Sequence, residues 1–149
     1  MLTQYLEKEG IRCGCEVHDW KEAIRAAAAP LMESGKIEAG YVERAIEKVE
    51  ELGPYIVLTQ GVAVAHARPK QDVKQGGISL ITLKNPVAFG NKAYDPVSLV
   101  FMLAATTDDG HIGAMMSVAQ ALCEPDMKEK LIAAKTPDEI YQLILQQGE

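Results

Sequence analysis

Positive charge is scarce in this sequence. Its 149 residues carry 15 Lys and Arg against 21 Asp and Glu, a formal net charge of −6 at pH 7. No basic cluster is present to neutralise a phosphate backbone, which argues against nucleic acid as a partner. The acidic field suits a basic protein surface better. Long apolar runs are missing too. The longest, VSLVFMLAA at 97–105, falls far short of the ~20 residues of a membrane-spanning helix. The opening MLTQYLEKEG places charges early and holds no apolar segment, so it does not read as a signal peptide. Three cysteines are an odd number, which speaks against a disulfide framework and for reduced thiols in the cytoplasm. Aromatics make up only 5%, so Val, Ile, Leu, Ala and Met must fill the interior. The Walker A loop, GxGxxG and GxSxG are all absent. Gly76-Gly77 stands before a strand, not before a helix, and is no phosphate cradle. No cofactor and no metal are expected.

What is present reads as one domain over residues 1–149, without repeats, linkers or low-complexity tracts. Residues 2–9 have the character of a short helix, and IRCGCEV (11–17) alternates as a strand does. Asp19-Trp-Lys-Glu22 has capping-box spacing and opens a helix that Pro30 interrupts and Gly35 ends. A second helix runs from Ala39 to Leu52 with Tyr41, Val42, Ala45, Ile46 and Val49 on one face, stopped by Gly53-Pro54. YIVL, GVAVAH, GISLITL and VSLVFMLAAT read as strands. The last is apolar on both faces, as a central strand is. TTDDGH opens a helix that runs to Cys123, and Thr136-Pro-Asp-Glu139 caps the C-terminal one. The order is that of an α/β protein: a mixed, mostly parallel sheet flanked by helices on both faces. The loop from Pro69 to Gly76 is too short for a helical crossover, so at least one pairing is antiparallel.

Only three histidines occur, and two of them fall at junctions. His66 closes GVAVAH, a strand of small apolar residues, and active sites in α/β sheets gather at strand ends. Arg68 follows two residues on. His111 follows Asp108-Asp109-Gly110, an N-cap region, and so lies in the first turn of a helix, where the dipole disfavours an imidazolium and favours anions. Met115 is one turn further along, on the same face. Each histidine also has a plain reading, one as a satisfied edge-of-core residue, the other as a surface residue. Cys13-Gly-Cys15 with His18 suggests a metal site only weakly. Two cysteines on one face of a strand, with His18 at its exposed end, account for it better.

GVAVAHARP, with GPYIVLTQ before it and TTDDGH after it, resembles the enzyme IIA components of the bacterial phosphotransferase system, of mannitol/fructose type. It is most similar to the L-ascorbate-specific branch, and the similarity runs through almost the whole chain. The resemblance implies a cytoplasmic phosphotransferase with a mixed sheet flanked by helices. His66 would be the phosphoryl acceptor, on its Nε2 (tele) nitrogen, and His111 would stabilise the group. Phospho-HPr would be the donor and a cysteine of the cognate enzyme IIB the recipient. The membrane enzyme IIC would be reached only through IIB, and a homodimer is compatible with this.

The sequence departs from the family pattern at two places. Ala65 and Ala67 flank His66 where proline and glycine are usual. The arginine that mannitol-type members carry near the end of the preceding helix is missing from Glu47-Lys48-Val49-Glu50-Glu51, which leaves Arg68 or Lys48 for its role. Two other readings stand beside the transport carrier. One is a regulatory domain of the same fold whose phosphorylation state a partner reads. The other is a plain binding domain with incidental histidines.

Overall fold

The computed structural model describes residues 1–147. Gly148 and Glu149 of the expected 1–149 unit lie outside the described residues. A single 3-10 turn at Leu2–Gln4 leads into β1 (Leu6–Cys15), followed by α1 (Trp20–Glu33), α2 (Ala39–Leu52), β2 (Val57–Thr59) and β3 (Val62–Ala65). Then come β4 (Gly77–Val87), β5 (Val97–Ala104), α3 (Asp108–Leu122), α4 (Met127–Ala133) and α5 (Pro137–Gln147).

The five strands form one sheet in the order β1-β4-β5-β3-β2. β5 is the middle strand, as its two apolar faces require. Leu99, Phe101 and Leu103 pack with residues of α3, α4 and α5, whereas Val100, Met102 and Ala104 pack with α1 and α2. β3 divides the same way, with Val62 and Val64 towards α3 and Ala63 and Ala65 towards α2. The period-two alternation of side chains thus serves two cores at once. α2 keeps its expected bounds and buries Tyr41, Val42, Ala45, Ile46 and Val49. Gly53 ends it at φ +86°, in the left-handed region that glycine enters without strain.

The sheet is mixed and covered on both faces, but not mostly parallel. β1–β4 and β3–β5 are parallel; β4–β5 and β2–β3 are antiparallel. Short connections force the even split, because a parallel return needs a crossover of a dozen or more residues. The loop after Pro69 does send β4 antiparallel to β3, with β5 inserted between them.

Other expectations change for tertiary reasons. Residues 6–9 are strand, not helix, since β1 gains a parallel partner in β4 from Leu6 onward. Pro30 lies inside α1 without ending it. It removes one donor three residues before the end, the one that would bond the Ala26 carbonyl; the next carbonyl, of Ala27, accepts from the buried Ser79 hydroxyl. Cys13 and Cys15 do not share a face. Gly14, at φ +65°, bulges the strand, so Cys13 packs on the α3–α5 side and Cys15 on the α1–α2 side. His18 is exposed beyond the strand and pairs with Glu22. α4, seven residues long, gave no sequence signal of its own.

Phe101 is fully buried in the middle strand. Phe101→Ala is expected to lower the unfolding free energy by about 3–5 kcal/mol, read as a fall in urea midpoint with the slope unchanged.

Candidate functional site

β3 and β5 run parallel and in register from Val62–Leu99 to Ala65–Met102. Their C-terminal ends therefore reach one edge of the sheet together. His66 follows the last residue of β3. Three residues beyond β5, Thr107 caps α3: its hydroxyl accepts from Gly110 N–H at 3.0 Å. The cap is Thr107 and not the Asp108–Gly110 segment, which forms the first turn itself. A Cβ on Gly110 would stand 3.0 Å from that hydroxyl, so the close cap is open to glycine. The backbone N–H of His111 bonds to the Thr107 carbonyl, and its ring projects from this first turn. The two imidazoles meet with centroids 5.1 Å apart and planes at 62°.

The His66 ring is held in one state. Its Nδ1 lies 2.9 Å from the Val64 carbonyl oxygen. A carbonyl only accepts, so Nδ1 carries the proton and Nε2 keeps its lone pair. Val64 can spare that oxygen because β2 begins only at Val57, and the Val64 N–H already bonds the Ile56 carbonyl. Tyr55 stands edge-on to the ring at 5.6 Å.

Both rings are biased towards the neutral form. Burial lowers the His66 pKa below the ordinary 6.5; the Val64 bond opposes this and His111 adds to it. Burial likewise lowers that of His111, against the pull of the Asp108 carboxylate. His111 Nδ1 is buried without a hydrogen-bond partner, the only such side-chain atom found among the described residues. Unpaired buried groups are rare and mark strain or function.

The histidines open into a cleft of about 520 Å³ whose wall includes Lys48, Arg68 and Asp108. Lys48 and Arg68, the two expected substitutes for an arginine, both face this space. Neither makes an ion pair among the described residues. Leu52 and Ile112, 62% and 57% exposed, form apolar parts of the rim, and Met116 lies one turn beyond Ile112 at 55%. Met115, expected beside the site, is instead half-buried against the α3–α5 core. The helix turns it inward and presents Ile112 and Met116.

Sequence reading passed over Tyr41 as a polar group and Arg44. Tyr41 was counted only as part of an apolar face, yet its hydroxyl reaches the backbone beside His66. Arg44 grips Asp72 through two nitrogens, at 2.8 and 2.6 Å, and donates to the Arg68 carbonyl at 2.9 Å. This bond lowers the Asp72 pKa and pins the loop after β3. Tyr41, Arg44, Lys48 and Leu52 follow i, i+3, i+7, i+11 spacing, one stripe of α2, and that spacing was the available signal.

An α/β layer protein with two neutral imidazoles at the ends of parallel strands is a class with known members. The family model for the phosphoenolpyruvate-dependent sugar phosphotransferase system, EIIA 2, matches residues 4–147, and the chain belongs to that family. It is 35% identical over 126 residues to the phosphotransferase IIA component SgcA of Escherichia coli (strain K12), covering 85% of this chain and 88% of SgcA. It is 32% identical over 140 residues to the ascorbate-specific PTS system EIIA component of the same strain, covering 93% and 90%. The complex of enzyme IIA mannitol and phosphorylated enzyme IIB mannitol from Escherichia coli contains a chain that superposes with a TM-score of 0.82 at 27% identity. That match covers 95% of this chain and 99% of the other. Membership gives the chain a phosphotransferase role as a phosphocarrier towards an EIIB component. No helix among the described residues is long and apolar enough to cross a membrane.

The lowered histidine pKa values have a consequence for stability. The unfolded chain takes up protons on these rings from about pH 6.5 downward, the folded chain only at lower pH. Their contribution is therefore complete above about 6.5 and is lost as pH falls through the folded values. Between about pH 7.5 and 5.5, the wild type is expected to lose more stability in urea melts than a His66→Ala, His111→Ala double variant.

Proposed function

We propose that His66 is the phosphoryl acceptor and that the chain carries the group from phospho-HPr to a cysteine of its cognate enzyme IIB. The Nδ1–H bond to Val64 supports this reading most directly. It leaves the Nε2 lone pair facing the cleft, and a neutral imidazole is the nucleophilic form. In the first step Nε2 attacks phosphorus and the bond to the donor breaks, its electron pair staying with the donor. In the second, the thiolate of enzyme IIB attacks, and the Nε2–P pair returns to the ring. Phosphoryl transfer asks mainly for positioning and charge stabilisation. The α3 N-terminus, Arg68 and Lys48 supply positive potential in a chain that is otherwise acidic.

His111 would donate to a phosphoryl oxygen. Its ring stands 5.1 Å from that of His66, centroid to centroid, within reach of a group carried there. The exposed apolar side chains of Leu52, Ile112 and Met116 around the cleft suit protein partners, and both must reach one atom. Carriage of L-ascorbate rather than another sugar rests on the 32% identity to the ascorbate-specific component. A cytoplasmic setting follows from the same reading.

The test is incubation with phosphoenolpyruvate, enzyme I and HPr, followed by intact mass at alkaline pH, where phosphohistidine survives. His66→Ala should take up no phosphoryl group. His111→Ala should still do so, more slowly by roughly 10²–10³-fold, the effect of losing one oxyanion-hole donor. An adduct on His66→Ala would overturn the assignment. Removal of the cleft cations gives a separate check. Arg68→Ala is expected to slow transfer about tenfold, since its charge-assisted contact to a phosphoryl oxygen is partly exposed, without changing the melting temperature. Lys48→Ala should act in the same direction, measured by rapid-quench transfer from phospho-HPr.

A further inference from the structure

The β3–β5 ladder has a foreign rung at its end. The Leu99 N–H donates to the Gly61 carbonyl at 3.1 Å. With the parallel register that follows, odd-numbered amides of β3 point to odd-numbered carbonyls of β5: Ala63 to Leu99, then Ala65 to Phe101. The next rung would join the Ala67 N–H to the Leu103 carbonyl. It is not made directly. The Tyr41 hydroxyl stands between them, accepting from the Ala67 N–H at 3.0 Å and donating to the Leu103 carbonyl at 2.5 Å. The Ala67 carbonyl lies further off, at 3.2 Å, and the hydroxyl has one proton to give. Tyr41 is fully buried, and the Arg44 guanidinium lies 5.3 Å from its ring centroid. Burial pushes its pKa up to about 12, so the hydroxyl stays protonated throughout the working range.

An oxygen inserted in the rung holds the two strand ends apart while keeping them joined. One end carries His66, a residue before the wedge. The other, at Leu103, leads through three residues to Thr107, the cap of α3, and on to His111. The separation of the strands beyond Met102 thus sets where the two rings stand. The hydroxyl holds the Ala67 amide, one residue past His66, and the His66 ring lies back on the Val64 carbonyl, two residues behind it.

We propose that Tyr41 is a positioning residue for phosphoryl transfer at His66: its hydroxyl, wedged into the ladder, fixes the backbone at Ala67 so that Nδ1 stays on Val64 and Nε2 faces the cleft. The activity arm of the test rests on the carrier reading above; the spectroscopic arm does not. In Tyr41→Phe the Ala67 amide and Leu103 carbonyl lose their common partner, and the phenyl ring blocks the direct rung.

The expected result has two parts. Transfer from phospho-HPr should lose about tenfold or more in kcat, with KM little changed because the docking rim is untouched. The ¹⁵N signals of the His66 ring, measured near pH 7.5 on the unphosphorylated chain, should change from one dominant Nδ1–H tautomer to a mixture. A folded Tyr41→Phe with wild-type kcat and an unchanged tautomer would overturn the proposal. If Tyr41→Phe does not fold, 3-fluorotyrosine at position 41 alone weakens the hydroxyl as an acceptor and keeps its shape. The same shift in tautomer is then expected, and an unchanged ring signal again overturns the role. A wild type that takes no phosphoryl group would remove the carrier reading, while the ring nitrogens still decide whether Tyr41 holds His66.

Discussion

Parallel pairing brings this site into being. β3 and β5 are separated in sequence by the whole of β4, yet they lie side by side and end together. Whatever follows each strand must then share one edge of the sheet. After β3 that is His66. After β5 it is a three-residue link and the first turn of α3, with His111. Had the pair been antiparallel, the two junctions would lie at opposite edges of the sheet. The sheet order, set by apolar burial on two faces, is thus what converts two isolated histidines into a pair.

The pair works against the field of the chain. A net charge of −6 disfavours a second anion, and a phosphoryl group brings close to two negative charges. Local structure compensates over a short range. α3 points its N-terminus at the cleft, and α2 presents Lys48 to it. The Arg44–Asp72 bond is turned inward on itself and holds the loop that carries Arg68. Among the described residues Lys48 and Arg68 make no ion pair, while the other arginines, Arg12, Arg25 and Arg44, are spent on carboxylates. Burial biases both rings towards the neutral form, and a neutral His66 with its proton on Nδ1 has its Nε2 lone pair free without a base to remove a proton.

Much of this was legible in the residues. The bounds and buried face of α2, the two-faced character of β5, the caps at Asp19 and Thr136 and the placing of His66 at a strand end all rest on local patterns. The readings that failed needed a partner from elsewhere in the chain. Residues 6–9 look helical until β4 supplies a ladder. Cys13 and Cys15 share a face only if the strand is regular, and Gly14 breaks that regularity. Met115 and Met116 differ by 100° around the helix axis, and only the packed core decides which one faces out. Tyr41 is the clearest case. Sequence periodicity sees an apolar ring on a buried face, and its hydroxyl acquires meaning only from two backbone groups that meet in the folded sheet.

The alanines around His66 fit the same logic. Ala65 pairs with Met102 in the parallel ladder, and its N–H lies on the rung to Phe101; a proline there would have no N–H to give. This chain therefore extends β3 to the residue before the histidine. Ala67 uses its own N–H on Tyr41. Among the described residues only Asp126 and five glycines have positive φ, and Ala67 is not one of them. Nothing in the backbone there demands glycine, and an alanine at this point has fewer unfolded conformations to lose. Two departures from the usual pattern thus act together: one lengthens the ladder up to His66, and the other stiffens the residue that leaves it. The turn that aims the imidazole is left to the ladder's last rung and to the hydroxyl inserted in it.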